Sequence, residues 1–399
     1  MTVHVVGAGL AGLSCALAAA DAGLDVVLHE SAGQAGGRCR SWRDAAIGEV
    51  IDNGTHMFLG GNHTLFSYLR RIGALDRLTA APLLFPMIDL ADGRRWTATP
   101  LRLLPSLLSS IRRSRTGTDT DIASLFGSSR NYRRFWEPII LSVMNTPAED
   151  ASVKVFREVL VRTLWRGMGA SRPFMARTSL PATFIQPAQA ALPAAGIALH
   201  LNHPLRHLER SAGRAVELSF DDGVQRIGPR DHVVLAVPWV VAASLLPGLP
   251  VLPASPIVNA HFRIAEAPRT LPSAGFAGLL GGTAQWMFLR GSVLSVTVSA
   301  AAGLVDRPAD DIRDQLWSDV SRALDIGDRP LAARVIKEKR ATLFHSPAVE
   351  AARPRTRAGD NLFLAGDWTA TGLPCTLEGS ILSGKIAADA LLSSIAGPP

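Results

Sequence analysis

Apolar residues along this chain gather in short runs separated by glycine, proline and polar turns. Val3–Val6, three valines about His4, has the pattern of a short buried strand. Leu13–Ala22, rich in alanine and leucine, predicts a helix with Gly23 as its C-cap. Asp25–His29 predicts a second strand, with Glu30 at its end. In the C-terminal part, Asn361–Ala365 predicts a buried strand closed by Gly366-Asp367, and Ser380–Leu392 a helix carrying small residues. Ala198–Leu201 and Pro204–Leu208 read as short strands, and Ala215–Phe220 alternates as a half-buried strand does. Asp221-Asp222-Gly223 supplies a hairpin turn, and Val233–Val237 is a buried strand stopped by Pro238. Strands of this kind alternating with helices predict an α/β fold.

Two longer apolar stretches invite a membrane reading, and both fail it. Thr2–Ala20 is almost uncharged, but no basic segment precedes it and glycines stand inside it at motif spacing. Val233–Ala260 is long enough to span a bilayer, yet it contains Pro238, Pro247, Pro250, Pro253 and Pro256. Proline removes a helical donor and clashes with the preceding turn, so no spanning helix follows. A cytoplasmic protein is expected. Pro100–Arg115 differs: Leu104, Leu107, Leu108 and Ile111 share one helical face, and Arg112, Arg113 and Arg115 follow. Two readings are open, a helix lying in a lipid interface and a helix packed on its own domain. Ser114–Asp121 is polar and aperiodic, the pattern of a mobile loop.

Composition narrows the classes. At 399 residues with 47% hydrophobic and 19% charged, the chain has enough apolar material for two or three domains, which excludes disorder. A mean hydropathy of +0.19 suits an apolar cavity, a lipid-facing surface or simply a large core. The net charge of +7 comes from dispersed arginines without interleaved aromatics, so no nucleic-acid partner is expected. Cys15, Cys39 and Cys375 are few and far apart, which points to a reducing compartment and no zinc site.

The chemistry is announced by Gly7-Ala8-Gly9-Leu10-Ala11-Gly12, set between a strand and a helix. Gly7 permits the tight turn, Gly9 lets backbone approach a pyrophosphate, and Gly12 lets helix and strand close together. The helix start offers unpaired N–H groups to phosphates, and Glu30 stands where a carboxylate accepts from ribose hydroxyls. Gly36-Gly37-Arg38 follows shortly, as in glutathione-reductase-type folds where such an element meets the pyrophosphate of FAD. In the C-terminal part, Gly366-Asp367 ends a strand, and Thr376-Leu377-Glu378-Gly379 leads into a helix. Asp367 can bind a ribityl chain. The helix start near Thr376, Leu377 and Glu378 can face the flavin N1–C2=O edge, where its dipole favours negative charge. For Glu378 itself, the backbone contacts the flavin and the side chain caps or orients. The single GxGxxG leaves no second nicotinamide domain, so electrons must come from an external nicotinamide or protein donor.

These two ends resemble the flavin amine oxidase and phytoene desaturase superfamily. The centre is more specific. Asp52-Asn53-Gly54-Thr55-His56, Trp136-Glu137-Pro138, Asn145-Thr146-Pro147, Gly282-Thr283-Ala284-Gln285-Trp286, Lys337–Thr342 and Gly366-Asp367-Trp368-Thr369 resemble the squalene-associated FAD-dependent desaturases. These are the bacterial hydroxysqualene dehydroxylases of squalene and hopanoid synthesis. The resemblance spans roughly residues 3–392, with Thr55 where glutamine is common and Cys375 where a small residue such as alanine is usual. It implies a glutathione-reductase-type FAD-binding Rossmann domain built from 1–75, 195–250 and 335–399, with an inserted α+β substrate domain from 76–194 and 251–334. It also implies that backbone near Leu205 meets the adenine and that Asn53, Gly54, Thr55 and His56 run beside the flavin.

The implied reaction replaces an allylic hydroxyl of a C30 isoprenoid with hydrogen. His56 is the first choice for the acid that assists C–O cleavage; the competing reading is a histidine bound structurally to flavin or backbone. Trp286 can form an aromatic wall beside a cation, or simply pack in the core. Asp52 reads as a turn residue. His63, His261 and His345 lack motif context and read as structural. A carotenoid-type desaturase and a non-catalytic prenyl-lipid escort protein are the rival functions. Peripheral contact with a membrane surface remains open.

Overall fold

Five of the short apolar runs pair side by side in one parallel sheet. The computed structural model describes residues 1–99, 119–126 and 132–396. The sheet order is Ala198–His200, Asp25–His29, Thr2–Val6, His232–Leu235 and Leu362–Leu364. Val5 lies opposite both Leu28 and Val234, and Val234 opposite Phe363, so three distant parts of the chain share one register. Helices on both faces would bury such strands fully, which explains why they read as continuous apolar runs.

Both helices that cover the sheet begin earlier than expected. The first runs Leu10–Asp21, with Gly9 as N-cap, so the glycine motif is its first turn. The close approach expected at Gly12 is present inside this first turn: a Cβ there would lie 1.8 Å from Gly7 O. Gly7 is held at φ +105°, and a Cβ on it would lie 2.5 Å from Ala236 O. The C-terminal helix runs Leu377–Ala396, longer at both ends than the expected Ser380–Leu392. It crosses the first helix on small residues. A Cβ on Gly384 would meet Ala11 O at 2.1 Å, and Ser14 Oγ donates to Ile381 O at 2.9 Å.

The hairpin at Asp221-Asp222 joins Arg214–Phe220 to Gly223–Arg226, and Leu205–Ser211 completes that small sheet. A seven-stranded sheet carries the other half of the molecule, in the order Ala332–Leu343, Ala254–Arg263, Val293–Val298, Trp286–Arg290, Phe276–Leu280, Phe85–Asp89 and Arg95–Ala98. Val258, Phe262 and Val296 pack with Ile312, Leu316 and Val320 of the helix Ala309–Leu324. Phe276, Trp286 and Phe288 cluster with Ile140, Met144, Phe156 and Leu160 of the helices Glu137–Met144 and Val153–Leu160. The boundary expected at residue 335 falls inside Ala332–Leu343, which pairs with Ala254–Arg263 from Ala332 to Leu343.

Among the described residues, no helix is long and apolar enough to cross a membrane. The proline-rich stretch Val233–Ala260 is divided between a sheet strand, the helix Trp239–Leu245 and the start of Ala254–Arg263. Pro100–Arg115 and most of Ser114–Asp121 lie outside the described residues.

Candidate active site

The glycine turn is built around the Glu30 carboxylate. Glu30 is buried, and Ala8 N donates to its Oε2 at 2.7 Å while Ala32 N donates to Oε1 at 2.9 Å. Gly36 N donates to Ala8 O at 2.9 Å, which docks the Gly36-Gly37-Arg38 loop onto the first turn. Gly36 and Gly37 both need positive φ, +124° and +55°. A Cβ on Gly9 would meet nothing within 4 Å, and one on Gly37 would meet only Gly9 Cα, at 3.6 Å. The two glycines therefore lie against each other at the start of a helix with the Cβ side of Gly9 unobstructed, where backbone N–H groups can approach a phosphate. His203 N donates to Glu30 O at 2.8 Å, bringing Leu205 within two residues of this turn.

Arg38 and Asp367 meet each other. Arg38 Nη2 lies 2.6 Å and 2.7 Å from the two carboxylate oxygens, and Nη1 donates to Ala341 O at 2.6 Å. Asp367 is buried, and Arg38 is about a third exposed. The sequence expectation sent Arg38 to pyrophosphate and Asp367 to ribityl. Here one bidentate pair closes the gap between the first glycine loops and the C-terminal strand end, 329 residues apart.

His56 sits across the same space. Its Nδ1 donates to Gly54 O at 2.7 Å, which fixes the tautomer and leaves Nε2 as the free lone pair. The ring is exposed by accessible surface, yet its pKa is lowered, with burial the largest cause. The Gly54 hydrogen bond and Asp52 work in the opposite direction, and Arg38 lowers it further. The ring is thus open to solvent while its packed surroundings disfavour the charged form.

Asp52 does much more than make a turn. It accepts from Ser41 Oγ at 2.5 Å, Leu180 N at 3.1 Å and Arg290 Nη1 at 2.6 Å. Asn259 Nδ2 donates to Asn53 O at 3.2 Å, and Thr297 Oγ1 donates to Asn259 Oδ1 at 2.8 Å. Asn259 pairs directly with Thr297, and Thr297 with Trp286. Directly paired residues share a sheet face, so Trp286 stands two strands, about 10 Å, from the Asn259 position that steadies the His56 loop. Trp286 is buried, packs near Phe276, and its indole N–H has no hydrogen-bond partner. Asn259, Arg290 and Thr297 carried no sequence signal, because their role arises from strand register.

Glu378 caps rather than lines. Thr64 N and Leu65 N donate to its two carboxylate oxygens at 3.1 Å and 2.7 Å, satisfying the first turn of the helix His63–Arg71. Its backbone, with those of Thr376 and Leu377, stands at the start of the C-terminal helix, where Thr376 Oγ1 accepts from Gly379 N at 3.1 Å. Gly366 has φ +147°, and a Cβ there would strike the Trp368 indole at 2.3 Å. His261 is buried and bonded to Ser295 Oγ at 2.8 Å, and His345 is fully buried beneath the Asp367 loop.

Two of the blocks that carried the finer resemblance meet, at Asn145 and Thr342, and others tie to neighbouring elements. Asn145 Nδ2 donates to Thr342 Oγ1 at 2.8 Å and to Ser255 O at 3.0 Å, while Ala300 N donates to Asn145 Oδ1 at 2.6 Å. Thr283 N and Ala284 N both donate to Asp319. These motifs are joints between elements.

The family described as flavin containing amine oxidoreductase matches residues 10–131 and 163–392. The chain is 39% identical to hydroxysqualene dehydroxylase of Rhodopseudomonas palustris over 98% of its own length and 99% of that protein. It is 37% identical to hydroxysqualene dehydroxylase of Sinorhizobium fredii over 98% of both chains. A 15-cis-phytoene desaturase of Synechococcus elongatus is more distant, at 22% identity over 98% of this chain and 96% of that protein. Among solved structures, cyclohexylamine oxidase of Brevibacterium oxydans superposes with a TM-score of 0.75 over 99% of both chains at 15% identity, a likeness of fold. The chain belongs to the hydroxysqualene dehydroxylase family and, more broadly, to the flavin containing amine oxidoreductases.

Proposed function

We propose that this protein is an FAD-dependent oxidoreductase that converts hydroxysqualene to squalene. The observation that carries the reading is the end-to-end match to proteins of that name, with the glycine cradle, Glu30 and Asp367 all in place. The desaturase reading is weaker, because the desaturase relative shares only 22% identity.

The cradle of Gly7, Gly9, Leu10, Ala11, Gly12, Glu30, Gly36, Gly37 and Arg38 would hold the adenosine and pyrophosphate half of FAD, with backbone near Leu205 at the adenine. Asn53, Gly54, Thr55, His56, Gly366, Asp367 and the amides of Thr376, Leu377 and Glu378 would hold the other half. Reduced FAD, when bound, supplies a hydride. The chain's own part is to break the C–O bond cleanly. One proton must reach the leaving hydroxyl so that it departs as water, and His56, whose Nε2 is not engaged by Gly54, is the group that can deliver it. Because its lone pair is free at rest, His56 acts as an acid only once protonated. The aromatic cluster around Trp286 provides a low-water wall that shields the allylic cation and faces it with π density. Each turnover consumes one hydride, so a nicotinamide or a protein donor must restore it.

The parallel sheet and its helices form the flavin domain from residues near 1–75, 195–250 and the C-terminal part. The seven-stranded sheet and its helices form the substrate domain. We place the protein in the cytoplasm with peripheral contact at the membrane that stores its hydrocarbon substrate.

Anaerobic incubation of the reduced protein with hydroxysqualene, followed by product analysis, tests the reading. Squalene formed in step with flavin oxidation is expected. No squalene, together with desaturated product from phytoene and oxidised enzyme, would give the desaturase reading instead. A protein that purifies colourless and binds no FAD would leave the escort reading.

A further inference from the structure

Beneath the Asp367 loop lies a buried charged cluster that the reaction does not use. Arg353 is fully buried at its side chain. Its Nη2 donates to the carbonyls of Asp367 at 2.6 Å and Thr369 at 2.5 Å, and its Nη1 donates to the carbonyl of Leu373 at 2.8 Å. One guanidinium thus holds carbonyls from both ends of the loop 367–373. Glu350 Oε2 accepts from the same Nη1 at 2.8 Å, and Glu350 Oε1 accepts from His345 Nδ1 at 2.5 Å. His345 Nε2 accepts from the backbone N–H of Cys375 at 2.9 Å, just before Thr376. Cys375 Sγ donates to Asp367 O at 3.4 Å.

We propose that His345, Glu350 and Arg353 are positioning residues that hold the loop 366–376 against the flavin, setting both FAD affinity and the flavin's reduction potential. This rests on the flavin-site reading above. The argument is geometric. The loop is gripped from below through its carbonyls, while above it the Asp367 carboxylate meets Arg38 and the start of the C-terminal helix presents its amides. Fixing the carbonyls fixes the direction of the groups on the other side. A buried ion pair adds little stability compared with apolar residues of the same shape, so its use here is better explained by the position it enforces. Glu350 also stays ionised: burial works to raise its pKa, but the His345 hydrogen bond and the Arg353 charge leave it lowered. The cluster reaches the substrate side too. His345 N donates to Thr146 Oγ1 at 2.9 Å, and Ser152 N donates to His345 O at 2.8 Å, so one histidine joins the flavin loop to the ends of two neighbouring helices.

The test uses the full chain, stripped of flavin and titrated with FAD, and the reconstituted protein for potentiometry. Arg353→Met and His345→Leu should raise the FAD Kd at least tenfold and move the midpoint potential. Arg353→Lys should recover part of both, and His345→Gln most of both, because glutamine can accept from Cys375 N and donate to Glu350. Folded Arg353→Met and His345→Leu proteins with the wild-type Kd and potential would overturn the proposal. If Arg353→Met does not fold, the histidine pair decides: a difference between Gln and Leu supports the proposal, and identical behaviour overturns it. Glu30→Ala serves as reference. A weakened Glu30→Ala beside unchanged cluster variants sinks this inference alone; an unchanged Glu30→Ala sinks the site reading itself.

Discussion

His56 carries the sharpest pH argument in the molecule. Its pKa lies below the ordinary value of about 6.5, chiefly through burial, and its Nδ1–H is committed to Gly54. An acid with a lowered pKa is protonated only below that value, so dehydroxylation through His56 falls as pH rises through it. The single-turnover rate should therefore decline as pH rises, with its midpoint below the ordinary histidine value, and His56→Ala should remove that limb and lower the rate ~10²–10⁴-fold with FAD content retained. A pH-independent rate in the wild type would give the proton to another group. Glu30→Ala is a different kind of change. It leaves the Ala8 and Ala32 amides without their acceptor and, on the proposed site, would remove charge-assisted bonds to ribose, each worth ~1.5–3 kcal/mol, so FAD should be lost on dilution. Glu30 was legible in the sequence because its place follows from the strand before it. Arg353 was not, since Arg353-Pro354-Arg355 reads as solvated polar chain until the fold buries it.

Among elements, the glycines separate fold from ligand. Gly384→Ala would put a Cβ 2.1 Å from Ala11 O and push the first and last helices apart. Overpacking of this sort costs ~1–3 kcal/mol, so the melting temperature should drop. Gly9→Ala meets nothing within 4 Å and should leave the melting temperature of the apoprotein unchanged while weakening FAD. Equal effects of the two substitutions on apoprotein stability would contradict the open cradle. The strand Asp25–His29 appears with the bounds its pattern predicts, because apolar periodicity is a local property. The early start of both helices was hidden, because the first turn of a helix carries no apolar period of its own to mark it.

At the scale of the whole molecule, Asp52 is a bolt between the loop 52–56 and the seven-stranded sheet. It joins the strand Val50–Asp52 to Arg290 of the seven-stranded sheet and to Leu180 N. Asp52→Ala leaves buried donors unpaired, at ~1–3 kcal/mol, and should loosen the His56 loop as well. Lower stability with weaker FAD retention is expected; lower stability with normal retention would confine Asp52 to the fold. Supply of substrate belongs to this scale too. Wild-type protein should sediment with anionic vesicles, and combined Leu107→Ser, Leu108→Ser, Arg112→Gln and Arg113→Gln changes should release it while it stays yellow. A wild type that never sediments with vesicles removes the membrane contact.

What the sequence determined by itself is what short-range chemistry dictates: which runs become strands, where a turn needs glycine, and that an acid ends the second strand beside the glycine turn. What only the tertiary structure decided is which side chains face each other. Arg38 finds Asp367 across 329 residues, Glu378 caps a helix 313 residues before it, and Asn259 reaches Asn53 across 206. The reason is physical. Periodicity along a chain encodes the face that is buried, whereas the partner on that face is set by the register of strands and the crossing of helices that only the folded core brings together.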